Sequence, residues 1–167
     1  MSSFTLHSPD IAADGTIDKR FEFDGFGCSG ENKSPALQWS GAPAGTKSFA
    51  VSVYDPDAPT GSGFWHWMVV DIPASVTELK ADAGAAGGAR LPAGASHIRI
   101  DYGVSAFGGM CPPPGDKPHR YVFTVYALGV EKLELPPDPT AALAGFMINA
   151  NLLGKAGFTA HYGRPAA

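Results

Sequence analysis

Period-two alternation of apolar and polar residues dominates the middle of the chain. In Phe49-Ala-Val-Ser-Val-Tyr54, residues Phe49, Val51 and Val53 share one face, and Asp55 continues it. After a turn, Phe64, His66, Met68 and Val70 fall on one face of a second segment, with Trp65, Trp67 and Val69 on the other. The clearest strand runs from His119 to Leu128. There His119, Tyr121, Phe123 and Val125 line up, polar at the entry and apolar further in. Shorter strands are predicted at Phe4–His7, Arg20–Phe23, Ala36–Ser40, Ile98–Ile100 and Phe158–Tyr162. Pro136-Pro-Asp-Pro-Thr140 breaks the sheet pattern and starts a helix. Leu143, Phe146, Met147, Ala150 and Leu153 follow at helical spacing, and Gly154 ends it, so this helix is expected to cover an edge or face of the sheet. Ser75-Val-Thr-Glu78 has capping-box spacing for a short helical turn. Gly84 to Gly94 has the composition of a flexible surface loop.

Composition sharpens this pattern. The 21 glycines and 15 prolines are distributed between the apolar runs, which predicts a loop-rich, mainly β chain with many turns. With 167 residues and no long linker, the chain is expected to form a single domain over residues 1–167. A net charge of −4 without any basic run argues against a nucleic-acid partner. The N-terminal residues have neither a basic start nor an apolar core, and no apolar run reaches membrane-spanning length. Cytoplasmic residence without a stable membrane anchor is therefore the expectation. Cys28 and Cys111 sit in separate Gly-rich loops, too far apart for a Cys-x-x-Cys motif. They are either reduced thiols or, if the loops meet in space, a disulfide.

The alternation brings chemistry to one place. Asp55, Asp57 and His66 are expected at the rim of an apolar sheet, where partly dehydrated carboxylates need donors or a ligand. The competing reading is a plain turn, because Asp-Pro-Asp-Ala-Pro followed by Thr-Gly-Ser-Gly is also good turn chemistry. A metal-dependent hydrolase is the alternative function, since two histidines with carboxylates can hold zinc or iron. No His-x-His or His-Glu-x-x-His spacing supports it. Cys111 as a nucleophile with a histidine base is weighed against an inert loop cysteine, and the inert role is favoured.

Asp55-Pro-Asp-Ala-Pro, Phe64-Trp-His-Trp, Cys111-Pro-Pro-Pro-Gly and His119-Arg-Tyr, in this order and spacing, resemble the phosphatidylethanolamine-binding proteins, also called Raf kinase inhibitor-like proteins, and their bacterial branch in particular. Cys28-Ser-Gly-Glu-Asn-Lys-Ser-Pro and Ala160-His-Tyr-Gly-Arg164 extend the likeness over nearly the whole chain. The resemblance implies a large central antiparallel sheet packed on a smaller one, with few helices. It also implies a small anion pocket lined by Asp55, Asp57, His66, Gly109, Pro112, His119 and Tyr121, adjoining Cys111, with Phe64 and Trp65 near its mouth. Phosphate, acetate or a phosphoethanolamine headgroup is the ligand it implies, and modulation of a kinase or protease by protein contact is the output. A homodimer is suggested, and catalysis, cofactor and metal are not. Met110 where the bacterial motif has proline, and Ala160-His161 where Gly-Thr is usual, are departures that leave the carboxylates and pocket histidines intact.

Within that frame His66 and His119 are expected to donate to the anion, the aspartates to orient them, and backbone amides near Gly109 to add a nest. Affinity is then expected to rise as pH falls through the histidine range. Trp65 and Trp67 are expected to fill the space between the sheets. Arg120, on the face opposite His119, is expected to anchor an ion pair.

Overall fold

A computed structural model describes residues 3–166. The expected mainly β architecture is present as two antiparallel sheets. The larger has five strands in the order β6, β4, β3, β7, β8, formed by Ser96–His97, Phe64–Pro73, Ser48–Asp55, His119–Leu128 and Leu152–Tyr162. The smaller has three, in the order β1, β2, β5, formed by Thr5–His7, Leu37–Ser40 and Glu78–Leu79. The central strand β3 is buried along almost its whole length. Its apolar face, Phe49, Val51 and Val53, packs with Leu6, Leu37 and Trp39 of the small sheet and with Trp67, Phe123 and Val125.

The opposite face of the large sheet is covered by helix α1, Ala141–Ala150, whose first turn is capped by Thr140 accepting from the Leu143 amide. The helix buries Ala141, Ala144 and Ile148 against Ala50, Met68, Val70 and Leu128. Of the stripe expected from larger residues, Met147 packs against this cluster, but Phe146 is 71% exposed and Leu143 39%. Small alanines let the helix approach the sheet closely, which large residues at those positions would prevent. The helix also ends at Ala150 rather than Gly154. Leu152, Leu153 and Gly154 belong to β8, which is longer than the predicted Phe158–Tyr162 because it pairs with β7 from His119 to Leu128. A ladder that satisfies so many backbone groups outweighs a weak helical spacing.

Three shorter predictions are also corrected. Arg20–Phe23 is no strand: Lys19–Phe21 is a 3-10 turn capped by Asp18, and Glu22 makes a single bridge to Met110. Ser75–Glu78 forms no helix, since Glu78 and Leu79 pair with Gln38 and Leu37. The strand near Ile98 is Ser96–His97, with Arg99 in an isolated bridge to Thr140.

One irregularity in the β3–β4 ladder positions the site. Val53 lies opposite Trp67 but Tyr54 lies opposite Trp65, so His66 is an extra residue on β4. This bulge reverses the facing expected from strict alternation. Phe64, His66, Trp67 and Val69 share the side of Asp55, whereas Trp65 joins Met68 and Val70 on the helix side. The corrected helix face predicts that Ile148→Ala lowers unfolding stability by about 2–4 kcal/mol, whereas Phe146→Ser changes it little. Urea denaturation of the two variants measures the contrast.

Candidate functional site

Strand ends and two loops converge on one side of the large sheet. Asp55 ends β3, Phe64 and His66 open β4, and His119 and Tyr121 open β7. With Phe26, Asp101, Tyr102, Cys111, Pro112, Pro113 and the Ala58–Thr60 turn they enclose a cavity of about 320 Å³. That volume is at the lower end for a small-ligand site.

At its base Asp55 Oδ2 lies 2.7 Å from His119 Nδ1, and Asp55 Oδ1 accepts from the Asp57 amide at 2.8 Å. His119 Nε2 reaches Asp116 Oδ2 at 3.1 Å. Carboxylates only accept, so this arrangement favours a proton on both ring nitrogens, the imidazolium form of His119. Burial works against that charge, but the bonds to Asp55 and Asp116 carry its pKa above the ordinary histidine value. His66 is the opposite case. Its Nδ1 sits 2.8 Å from the Gly108 carbonyl, which fixes the proton on Nδ1, and burial lowers its pKa. The Tyr121 hydroxyl is buried beside the Asp55 carboxylate without a well-formed hydrogen bond. Burial, followed by the charge of Asp55, pushes its ionisation upward.

The cavity wall is aromatic and covalently braced. Tyr102 stacks on Phe23 at 3.9 Å, stands edge-on to Phe64, and donates its hydroxyl to the Gly109 carbonyl at 2.9 Å. Phe26 lies parallel beside that stack with φ 53°, a left-handed conformation unusual for a bulky residue. Cys28 and Cys111, 83 residues apart, form a disulfide that ties the Gly-rich loop to the Pro-rich one. Arg164 adds bonds to both loops, from Nε to the Pro112 carbonyl and from Nη1 to that of Gly27. Cys111 therefore lines the cavity as half of a disulfide. It is neither a reduced thiol nor available as a nucleophile.

Three expected pocket residues lie elsewhere. Asp57 turns out of the cavity and grips Arg120, with Oδ1 accepting from Nη2 at 2.8 Å and Oδ2 from Nε at 3.0 Å and from the backbone amide. Arg120 is thus an ion-pair anchor, and it holds the Asp57 carboxyl down at about 2. Trp65 is carried to the helix side by the bulge. It packs on Tyr54 and donates its amide to Asp101. Of these two tryptophans, Trp67 fills the space between the sheets. Gly109 forms no anion nest: its amide donates to Asn32 Oδ1 at 2.7 Å, and the Gly108 amide donates to the His66 carbonyl. A Cβ on Gly109 would overlap the Phe21 carbonyl, so glycine is needed for this close approach.

Asp116, Asp101, Tyr102 and Phe26 are the contributors that sequence reasoning missed. Asp116 had a usable signal, standing three residues before His119 at the strand entry. The others are brought in by loops with no period. Among the described residues, no group of three or more His, Cys, Asp or Glu is placed to hold a metal ion.

Gly109→Ala is expected to cost about 1–3 kcal/mol, read by denaturant melts, because backbone rather than a flexible side chain must yield. Asp57 has its pKa depressed from 3.8 to about 2, so its contribution is complete above 3.8 and is lost as pH falls toward about 2. Asp57→Asn should therefore flatten acid unfolding across that window, while lowering neutral-pH stability by only about 0.5–1 kcal/mol. Thermal melts at stepped pH measure both.

The relatives agree with this architecture. The family model described as phosphatidylethanolamine-binding protein matches residues 7–163. UPF0098 protein YbcL of Escherichia coli (strain K12) is 53% identical over 161 residues, covering 96% of this chain and 88% of that protein. UPF0098 protein YbhB of the same strain is 42% identical over 157 residues, covering 94% and 98%. The crystal structure of E. coli YbcL, described as a new member of the mammalian PEBP family, superposes with a TM-score of 0.93 over 96% of this chain and 98% of that one. With the fold, the ordered motifs and the family match all in agreement, the chain belongs to the phosphatidylethanolamine-binding protein family.

Proposed function

We propose that the cavity binds a small oxyanion, phosphate or a phosphorylated group or carboxylate, and that the protein acts by binding rather than catalysis. The observation that supports this most is the His119 imidazolium meeting, in one cavity, the buried Tyr121 hydroxyl that lacks a well-formed hydrogen bond. A positive ring and a hydroxyl in a partly dehydrated hollow are suited to an anion, because the low local dielectric strengthens each contact. Asp116, whose side chain is 45% exposed, bonds His119 Nε2. An incoming oxyanion takes that place, while buried Asp55 continues to orient the ring from Nδ1.

Its biological output, in this reading, is modulation of a partner protein such as a kinase or protease, with ligand occupancy altering the loops around the cavity. The same loops carry the Cys28–Cys111 disulfide, a bond that persists in oxidising compartments. This favours residence outside the reducing cytoplasm over the cytoplasmic location expected from the chain's start. Among the described residues, no helix is long and apolar enough to cross a membrane.

The pH dependence follows from the two rings. His119 is held above the ordinary 6.5, so its charge is complete below that value and is lost as pH rises through its raised range. His66 is held below 6.5, so it gains charge only on further acidification. Calorimetric titration with phosphate should show affinity falling from pH 6 to pH 9. His119→Gln should bind about ten-fold more weakly at pH 7 and lose most of the dependence above 6.5. Asp116→Ala should bind several-fold more tightly. A flat profile, or unchanged binding in His119→Gln, would remove the assignment.

A further inference from the structure

Three side-chain acceptors line the cavity. His66 has its proton held on Nδ1 by the Gly108 carbonyl, which can only accept, so Nε2 presents a lone pair. Asp55 lines the same hollow, and an ionised carboxylate keeps acceptor capacity even with both oxygens engaged. Asp101 adds a third acceptor at the wall. On the facing loop the amides of Gly108 and Gly109 are already bonded, and Pro112 and Pro113 have none. The side-chain donors that line the same cavity are the Tyr121 hydroxyl and, once Asp116 swings away, His119 Nε2.

We infer that the cavity selects oxyanions that carry a proton, inorganic phosphate at neutral pH and phosphate monoesters below their second pKa of about 6, and discriminates against proton-free oxyanions, including the phosphodiester of a phospholipid headgroup. This rests on the oxyanion reading above and narrows it to a ligand class. A proton-free oxyanion can use the two donors but must then set its remaining lone pairs against His66 Nε2 and Asp55. A protonated oxygen instead donates to one of them, so a single ligand proton converts a repulsion into a bond. Buried sites discriminate most strongly by groups left unpaired, because neither partner can return to water. The preference is thus set by the tautomer of His66 and not by cavity size. Hydrogenphosphate and sulfate, which are nearly isosteric and equal in charge, differ in that proton.

The test is calorimetric titration of the full chain at constant ionic strength with four probes: inorganic phosphate and sulfate at pH 7, and phosphoethanolamine and glycerophosphoethanolamine at pH 5, where the monoester holds one proton. Phosphate and phosphoethanolamine are expected to bind, with sulfate and the diester at least about ten-fold weaker. The two ethanolamine probes share the ammonium end, so their difference reports monoester against diester and separates a soluble phosphate source from a lipid headgroup. His66→Gln, whose amide can donate, should move the sulfate-to-phosphate ratio toward one, and the wild-type comparison decides alone if that variant fails to fold. Sulfate binding as tightly as phosphate would overturn the selectivity while leaving the oxyanion site standing. Failure of all four probes would overturn the oxyanion site itself and the selectivity with it.

Discussion

A carboxylate and an imidazole, both buried, meet at 2.7 Å where β3 ends and β7 begins. Asp55 and His119 have only 3% and 5% of their side chains exposed, so neither charge is tolerable without the other. Their meeting depends on the register of the β3–β7 ladder, in which Val53 faces Phe123 and Tyr54 faces Val122. A slip of one residue would turn Asp55 toward the helix and leave His119 among apolar side chains. The apolar face from Phe49 to Val53 and from Phe123 to Val125 holds that register, so the core and the site depend on one ladder.

The cavity's other walls depend on departures from regular structure. The extra residue in β4 turns His66 to the side of Asp55 and sends Trp65 to the opposite face. The disulfide and Arg164 hold together two loops whose own backbone bonds are isolated turns. The unusual backbone of Phe26 is tolerated because the Phe23–Tyr102 stack gives its ring a parallel neighbour. An interior so constrained can hold a tyrosine hydroxyl without a well-formed hydrogen bond and a histidine of one tautomer in place, at the expense of local stability that the β core supplies.

Polar groups around the cavity divide into those already satisfied and those left over. Asp57 with Arg120, Asn32 with Gly109, and Glu22 with Tyr162 and the Ser29 amide are closed arrangements that support loops. Tyr121, His66 Nε2 and the exchangeable Asp116–His119 contact are open ones. Several residues that sequence reasoning assigned to the ligand turn out to be structural for this reason. Asp57 and Gly109 have the chemistry of an anion site, but local geometry engages them with a guanidinium and with a neighbouring backbone segment.

The sequence by itself determined the β character of the chain, three of its four long strands and the side on which Asp55, His119 and Tyr121 lie, because side-chain alternation over an unbroken strand is a local rule. It also carried the family, through motifs whose order does not depend on contacts. Tertiary structure decided the rest. The bulge at His66, the true face of α1 and the full length of β8 are settled by ladder pairing and close packing between segments distant in sequence, which periodicity does not encode. The pairing of Cys28 with Cys111, and the arrival of Asp116 at His119 in place of Asp57, depend on where loops meet. That meeting is fixed by the packed core as a whole and by no local pattern.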